Sequence, residues 1–163
     1  MIEAVIFDLD GTLIHLPVDY EKLFAEFKKI MHTDDVQPLT EVISNLDNNT
    51  RRQVFKTWDK AELAAAPHVT MNKEGMDIYK SFEQKPKALV TMQGKAVVKN
   101  ILARFKLSFK FTVTREDSLN RRDQLENAAG KLKRRFDKIL FVGDKENDFM
   151  AAKKVGCGFL RIK

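Results

Sequence analysis

The sequence predicts an α/β fold: a doubly wound, mostly parallel sheet interrupted by one all-helical insert. Three observations carry this. Short apolar runs alternate with amphipathic stretches, the pattern of strands joined by crossover helices. The runs at 4–7, 88–90 and 139–142 are apolar at consecutive positions, as strands covered on both faces must be. Between the first two, a stretch of about 65 residues (18–83) shows helical periodicity and no strand pattern.

In chain order, Ala4-Val5-Ile6-Phe7 predicts a buried strand ending at Asp8. Leu23, Phe24, Phe27, Ile30 and Met31 then form a helical stripe. Leu39–Leu46 after Pro38 predicts a short helix, Val54, Trp58, Ala61 and Ala65 a third, and Met71–Phe82 a fourth. Leu16-Pro17 and Lys85-Pro86 mark where this insert leaves and rejoins the core, because the residue before a proline is pushed out of the helical region. The predicted division is a core of 1–16 and 87–163 with an insert of 17–86. A second strand, Ala88-Leu89-Val90, ends at Thr91. A third, Phe109–Val113, alternates with Lys110 and Thr112 and reads as an edge. Ile139–Val142 ends at Gly143-Asp144, and Gly158–Ile162 makes a short fifth strand. Helices are expected over 94–105, 122–135 and 146–154.

The chain has 163 residues, 44% hydrophobic and 32% charged, which suits one folded domain carrying a modest insertion. No apolar run approaches the ~18–20 residues that cross a bilayer. The start, MIEAVIFDLD, does not read as a signal peptide. A single cysteine, Cys157, excludes an internal disulfide and a cysteine zinc cluster. A reducing cytoplasm is the expected location. The net charge of +6 divides into −2 for residues 17–86 and +8 for the remainder. Lys131, Lys133, Arg134 and Arg135 are the densest part of that excess. They fit the solvated side of a helix, and no zinc-finger, RNP or P-loop pattern accompanies them. Neither a nucleic-acid nor a membrane partner is expected.

The informative residues stand where the predicted strands stop, the place where open α/β sheets bind ligands. Asp8 and Asp10 are two apart in extended chain and project to one side. Gly11 then permits a sharp turn. Asp144 follows Gly143, and Asp148 lies one helical turn later, leaning back toward the helix start. Carboxylates this close raise one another's pKa. A hard divalent cation with oxygen ligands removes the conflict, and Mg2+ binds a few carboxylates, several waters and substrate phosphate. The pattern therefore predicts a metal and an anionic ligand in one site.

Asp8-Leu9-Asp10-Gly11-Thr12 resembles motif I of the haloacid dehalogenase superfamily. Gly143-Asp144-Lys145-Glu146-Asn147-Asp148 is similar to its motif IV, and Thr91 to its motif II. The insert resembles the helical cap of the family's first cap class, and the core its Rossmann-like sheet. The resemblance implies an Mg2+-dependent phosphatase acting on a small phosphorylated metabolite through an aspartyl-phosphate. On that reading Asp8 is the nucleophile and a metal ligand. Asp10 is the general acid and base, with its main-chain carbonyl on the metal. Asp144 completes the protein ligands, and Asp148 is a further ligand or an outer-sphere partner. Thr91 and the amides of Met92 and Gln93 hold phosphate. The second acid, Asp10, favours phosphatase or phosphomutase chemistry over dehalogenation.

One departure stands out. The family's motif III supplies a lysine, where this chain reads Glu116-Asp117-Ser118-Leu119-Asn120-Arg121-Arg122-Asp123. Arg121 or Arg122 is available as the cation, and Arg122 is the favoured candidate for binding phosphate. A sugar phosphomutase and a non-catalytic phosphate-binding protein are the alternative readings. His15, His32 and His68 read as surface or packing residues, Trp58 as core of the insert, and Cys157 as a small packed residue.

Overall fold

The computed structural model describes residues 1–163. Strand β1 (Ala4–Phe7) is buried at every position. It sends Ala4 and Ile6 to one face of the sheet and Val5 and Phe7 to the other. The chain then makes a two-residue strand, β2 (Ile14–His15), and three helices: α1 (Tyr20–Met31), α2 (Leu39–Ser44) and α3 (Asn48–Ala65). Asp19 and Asp47 start α1 and α3 by accepting the N–H groups of Lys22 and Thr50, the bonds that free donors at a helix start require. A second short strand, β3 (Thr70–Met71), returns antiparallel to β2, pairing Ile14 with Met71 and His15 with Thr70. Helix α4 (Lys73–Ser81) follows, capped by Asn72.

The rest is regular. Strand β4 (Lys87–Val90), helix α5 (Lys95–Phe105), strand β5 (Phe111–Val113), helix α6 (Arg121–Leu132), strand β6 (Ile139–Gly143), helix α7 (Glu146–Val155) and strand β7 (Gly158–Arg161) complete the chain. The five-stranded sheet has the order β5-β4-β1-β6-β7, and every pairing is parallel. The chain builds outward from β1 on one side, crosses back, and builds out on the other. The ends of β1, β4 and β6 therefore surround a topological switch point. Helix α6 ends at Leu132, earlier than the periodicity predicts, because Lys133 takes a left-handed conformation with φ 55.

Apolar residues of α6 and α7 (Leu125, Ala128, Ala129, Leu132, Ala151 and Ala152) cover the Ala4/Ile6 face. Helix α5 covers the other face through Val97, Val98 and Ile101. Helices α1–α3 enclose a separate apolar cluster of Leu23, Phe27, Val36, Ile43, Val54 and Trp58.

Two expectations for residues 17–86 are corrected here. The segment is not all-helical, since β3 lies inside it. Helix α4 also packs on the sheet rather than on α1–α3. Met76 joins the core on the Phe7 face, with Ile78, Tyr79 and Phe82 against it. The Tyr79 ring meets Phe7 edge-on at 5.8 Å and Phe109 at 5.6 Å. The entry at Leu16-Pro17 follows β2 directly, whereas the return strand β3 pairs with β2 some fifteen residues before Pro86.

Candidate active site

The turn after β1 is held by its own main chain, with the Leu9 carbonyl accepting from the N–H groups of Thr12, Leu13 and Ile14. Gly11 stands at φ +85, and a Cβ there would run into the Asp144 carboxylate, so this turn needs glycine twice over. Thr12, wholly buried, donates to Asp144 Oδ1 at 3.1 Å and reaches Asp8 Oδ2 at 3.5 Å. Asp144 arrives from the end of β6. Asp148 sits in the first turn of α7 and accepts the Lys145 N–H at 3.2 Å. One carboxylate oxygen each from Asp8, Asp144 and Asp148 lies within 4.8 Å of the others. Asp8 and Asp148 are 3% and 1% exposed. Burial, with Asp148 and Asp144 adding to it, pushes the Asp8 carboxyl up to about 7 against the pull of Arg121.

Arg121, not Arg122, supplies the cation. Its Nη2 donates to Asp8 Oδ1 at 3.1 Å and its Nε to Asp148 Oδ1 at 3.0 Å, while Nη1 donates to Gln124 Oε1 at 2.7 Å. Arg122 is exposed and pairs with Glu126 four residues along the same helix. The reason is helix phase. Arg121 lies 4, 7 and 11 residues before Leu125, Ala128 and Leu132, all buried against the sheet, so it shares their face. Arg122 is turned away from it.

Thr91 is wholly buried at the end of β4. Its hydroxyl accepts the Gln93 N–H at 3.1 Å and donates to the Gln93 side chain. The carbonyl of Thr91 accepts from Gln124 Nε2 at 2.9 Å, which ties this strand end to α6 and, through Gln124, to Arg121. The Met92 N–H donates to no protein group, and its carbonyl accepts from Arg115. Asp10 is only partly buried, and its Oδ1 accepts the Leu16 N–H at 2.9 Å. Burial raises its pKa, opposed by that hydrogen bond and by nearby Lys145 and His15. Of the four expected metal ligands, Asp10 alone contributes no carboxylate to the three-acid group. Its Oδ1 is held at the entry to the insert by the Leu16 N–H.

The donor set can be weighed for a cation. Three carboxylates against one guanidinium leave two negative charges unbalanced among oxygen-only ligands, the requirement of a hard divalent ion. Two hollows lie elsewhere: about 760 Å³ at the start of β4 and before β5, and about 390 Å³ between α1 and α3. Neither is lined by any of the acids that meet at the strand ends.

Thr12, Gln124 and Arg115 belong to this neighbourhood and were not singled out from sequence. Gln124 was findable, since it falls on the buried stripe of α6. Nothing in the sequence marks Arg115 beyond its place two residues after β5.

Comparison with known proteins agrees with the geometry. Residues 5–162 match the family described as haloacid dehalogenase-like hydrolase. The chain belongs to the haloacid dehalogenase-like hydrolases. Similar solved structures include a haloacid dehalogenase-like hydrolase from Streptococcus pneumoniae, with TM-score 0.72 and 16% identity over 99% of this chain and 85% of that one. A hydrolase from Pseudomonas syringae gives 0.75 and 18% over 98% and 84%. CbbY from Rhodobacter sphaeroides, solved with phosphate, gives 0.68 and 17% over 98% and 85%. At such identities these likenesses establish the shared fold. No curated protein matches the chain in sequence.

Proposed function

We propose that this hydrolase is an Mg2+-dependent phosphatase that removes phosphate from a small phosphomonoester through an aspartyl-phosphate on Asp8. The observation that carries the reading is the meeting of Asp8, Asp144 and Asp148 around Arg121 at the switch point of the sheet.

Asp8 attacks phosphorus through a carboxylate oxygen, and the bond to the leaving oxygen breaks. A covalent phosphoryl-enzyme divides one hard displacement into two easier ones. Arg121 keeps the Asp8 carboxylate oriented and balances part of the charge gathering in the site. Asp10, whose pKa is raised by burial, suits proton delivery to the leaving oxygen and then activation of water against the phosphoaspartate. The unengaged N–H of Met92 would receive a phosphoryl oxygen, and the Thr91 hydroxyl would do so once it turns from the Gln93 side chain it now donates to, with Gln124 fixing the strand end behind them. Asp8, Asp144, Asp148 and the main chain of Asp10 are the groups that would hold Mg2+, which when bound offsets charge on the transferring group. Helices α1–α3 serve as the cap, which closes over the substrate and selects it. The proposed substrate is a small phosphorylated metabolite.

The test is phosphate release from a panel of small phosphomonoesters, with and without Mg2+, beside Asp8→Asn. Release is expected only with Mg2+ and an intact Asp8, falling at least 1,000-fold in the variant, about 4 kcal/mol of transition-state stabilisation. Release that survives either change overturns the mechanism.

A further inference from the structure

The protein contains three buried side-chain polar atoms without a hydrogen-bond partner: Trp58 Nε1, Glu62 Oε2 and Arg115 Nε. All three belong to one cluster. The Arg115 side chain is wholly buried, and its Nη1 lies 2.9 Å from Glu62 Oε1, itself wholly buried. Its Nη2 pairs with Asp59, and the guanidinium lies over the Trp58 ring, 4.2 Å from the centroid. Trp58, Asp59 and Glu62 are all on α3. The opposite side of Arg115 faces the loop after β4. Nη1 donates to the Met92 carbonyl at 3.2 Å, and the Arg115 N–H donates to the Gln93 carbonyl at 3.3 Å. Glu62 crosses the same seam, accepting the Gly94 N–H at 3.1 Å.

Stability does not account for this cluster. Two carboxylates face one guanidinium in a seam where Arg115 and Glu62 are wholly buried and only Asp59 is one-third exposed. A buried ion pair with unfilled hydrogen bonds is often no better than well-packed apolar side chains. The same balance makes such a seam easy to part, because the charges regain water when the two sides separate. The cluster therefore fits a contact made and broken in each cycle. What it holds on the core side is the main chain from Met92 to Gly94, directly after Thr91.

We propose that Arg115 is a positioning residue: seated between Glu62 and the Met92 carbonyl, it fixes the loop after Thr91 in its phosphate-binding shape only while α3 is docked. Docking of the helical insert and phosphoryl binding are thereby one event. The kinetic arm of the test rests on the phosphatase reading above, and the exchange arm does not.

The experiment compares the full chain with Arg115→Gln, Arg115→Lys and Glu62→Gln. Glu62→Gln keeps the informative comparison if Arg115→Gln, which strands Glu62, fails to fold. Amide hydrogen exchange is followed with and without saturating inorganic phosphate and Mg2+. In the unaltered protein, phosphate is expected to slow exchange in α3 as well as at Met92–Lys95. In Glu62→Gln and Arg115→Gln the slowing in α3 is expected to disappear. Per folded molecule, KM should rise at least 10-fold in Arg115→Gln, with kcat lowered less, and Arg115→Lys should restore part of the loss. Wild-type kinetics per folded molecule, or equal slowing of α3 in all forms, overturns the proposal. So does phosphate protection confined to the loop in the unaltered protein. If the unaltered protein hydrolyses no monoester, the phosphatase reading fails, and the exchange experiment still decides the coupling.

Discussion

Arg121 lets two buried acids share a wall of the site, and its loss should be felt in folding before it is felt in catalysis. Arg121→Gln leaves Asp8 and Asp148 buried without their partner. Removing one member of a buried pair costs about 3–5 kcal/mol, whereas Arg122→Gln breaks only an exposed pair and should stay within about 0.5 kcal/mol. Urea unfolding of the two metal-free variants checks the contrast, and equal midpoints would contradict the assignment. The sequence favours Arg122 only when helix phase is left out; counted from Leu125, Ala128 and Leu132 the phase points to Arg121. Asp8, Asp144 and Asp148 were legible because strand ends and glycines mark them. Arg115 and Glu62 were not, because a lone arginine in a loop and a lone glutamate on a helix carry no local signal. Glu62 also makes a pH prediction. Burial raises its pKa despite Arg115, so the folded state holds this proton to higher pH than the unfolded chain does. Its contribution is fully present below the unfolded value of about 4.5 and is lost as pH rises through the folded value. Glu62→Gln should therefore flatten the fall of stability with pH above about 4.5, measured by urea midpoints between pH 4.5 and 7. A fall as steep as in the unaltered protein would contradict it.

At the scale of elements, the strands were the most legible parts and the β2/β3 ladder the least. A buried parallel strand announces itself as an apolar run, but two residues paired across a long insertion leave no periodicity to read. The position of α4 was hidden for a related reason: its apolar residues fit a helical face without saying what that face meets. The contact is tight. A Cβ on Gly75 would collide with the carbonyl of Thr12, in the turn that carries the site. Two effects oppose each other in Gly75→Ala. Helix propensity favours alanine by about 1 kcal/mol, while overpacking a close backbone approach costs about 1–3 kcal/mol. The obstacle is main chain rather than a flexible side chain, so the second should win. Thermal unfolding is expected to show net destabilisation, against the stabilisation that the same change gives in an exposed helix.

The whole molecule is a parallel α/β core from which one excursion leaves and returns at adjacent points, His15 lying opposite Thr70. The excursion carries its own apolar cluster, and none of the six residues buried there belongs to the core clusters. It also gives something to the core, because Ala65, Ala66 and Val69 pack among the residues on the Phe7 face. These facts set what should follow if residues 17–64 are replaced by a short Gly/Ser linker. The three acids, Thr12 and Arg121 lie outside the deleted stretch, as do the strands that present them. The shortened chain should fold with a parallel core and bind Mg2+ with an affinity within about tenfold of the full chain, about 1.4 kcal/mol. Phosphate release should collapse or lose its discrimination among substrates, because Glu62 and the rest of α3 are gone and water enters freely. Circular dichroism, Mg2+ titration and the substrate panel on the same preparation separate these outcomes. A shortened chain that keeps both turnover and selectivity would show that α1–α3 have no part in the reaction.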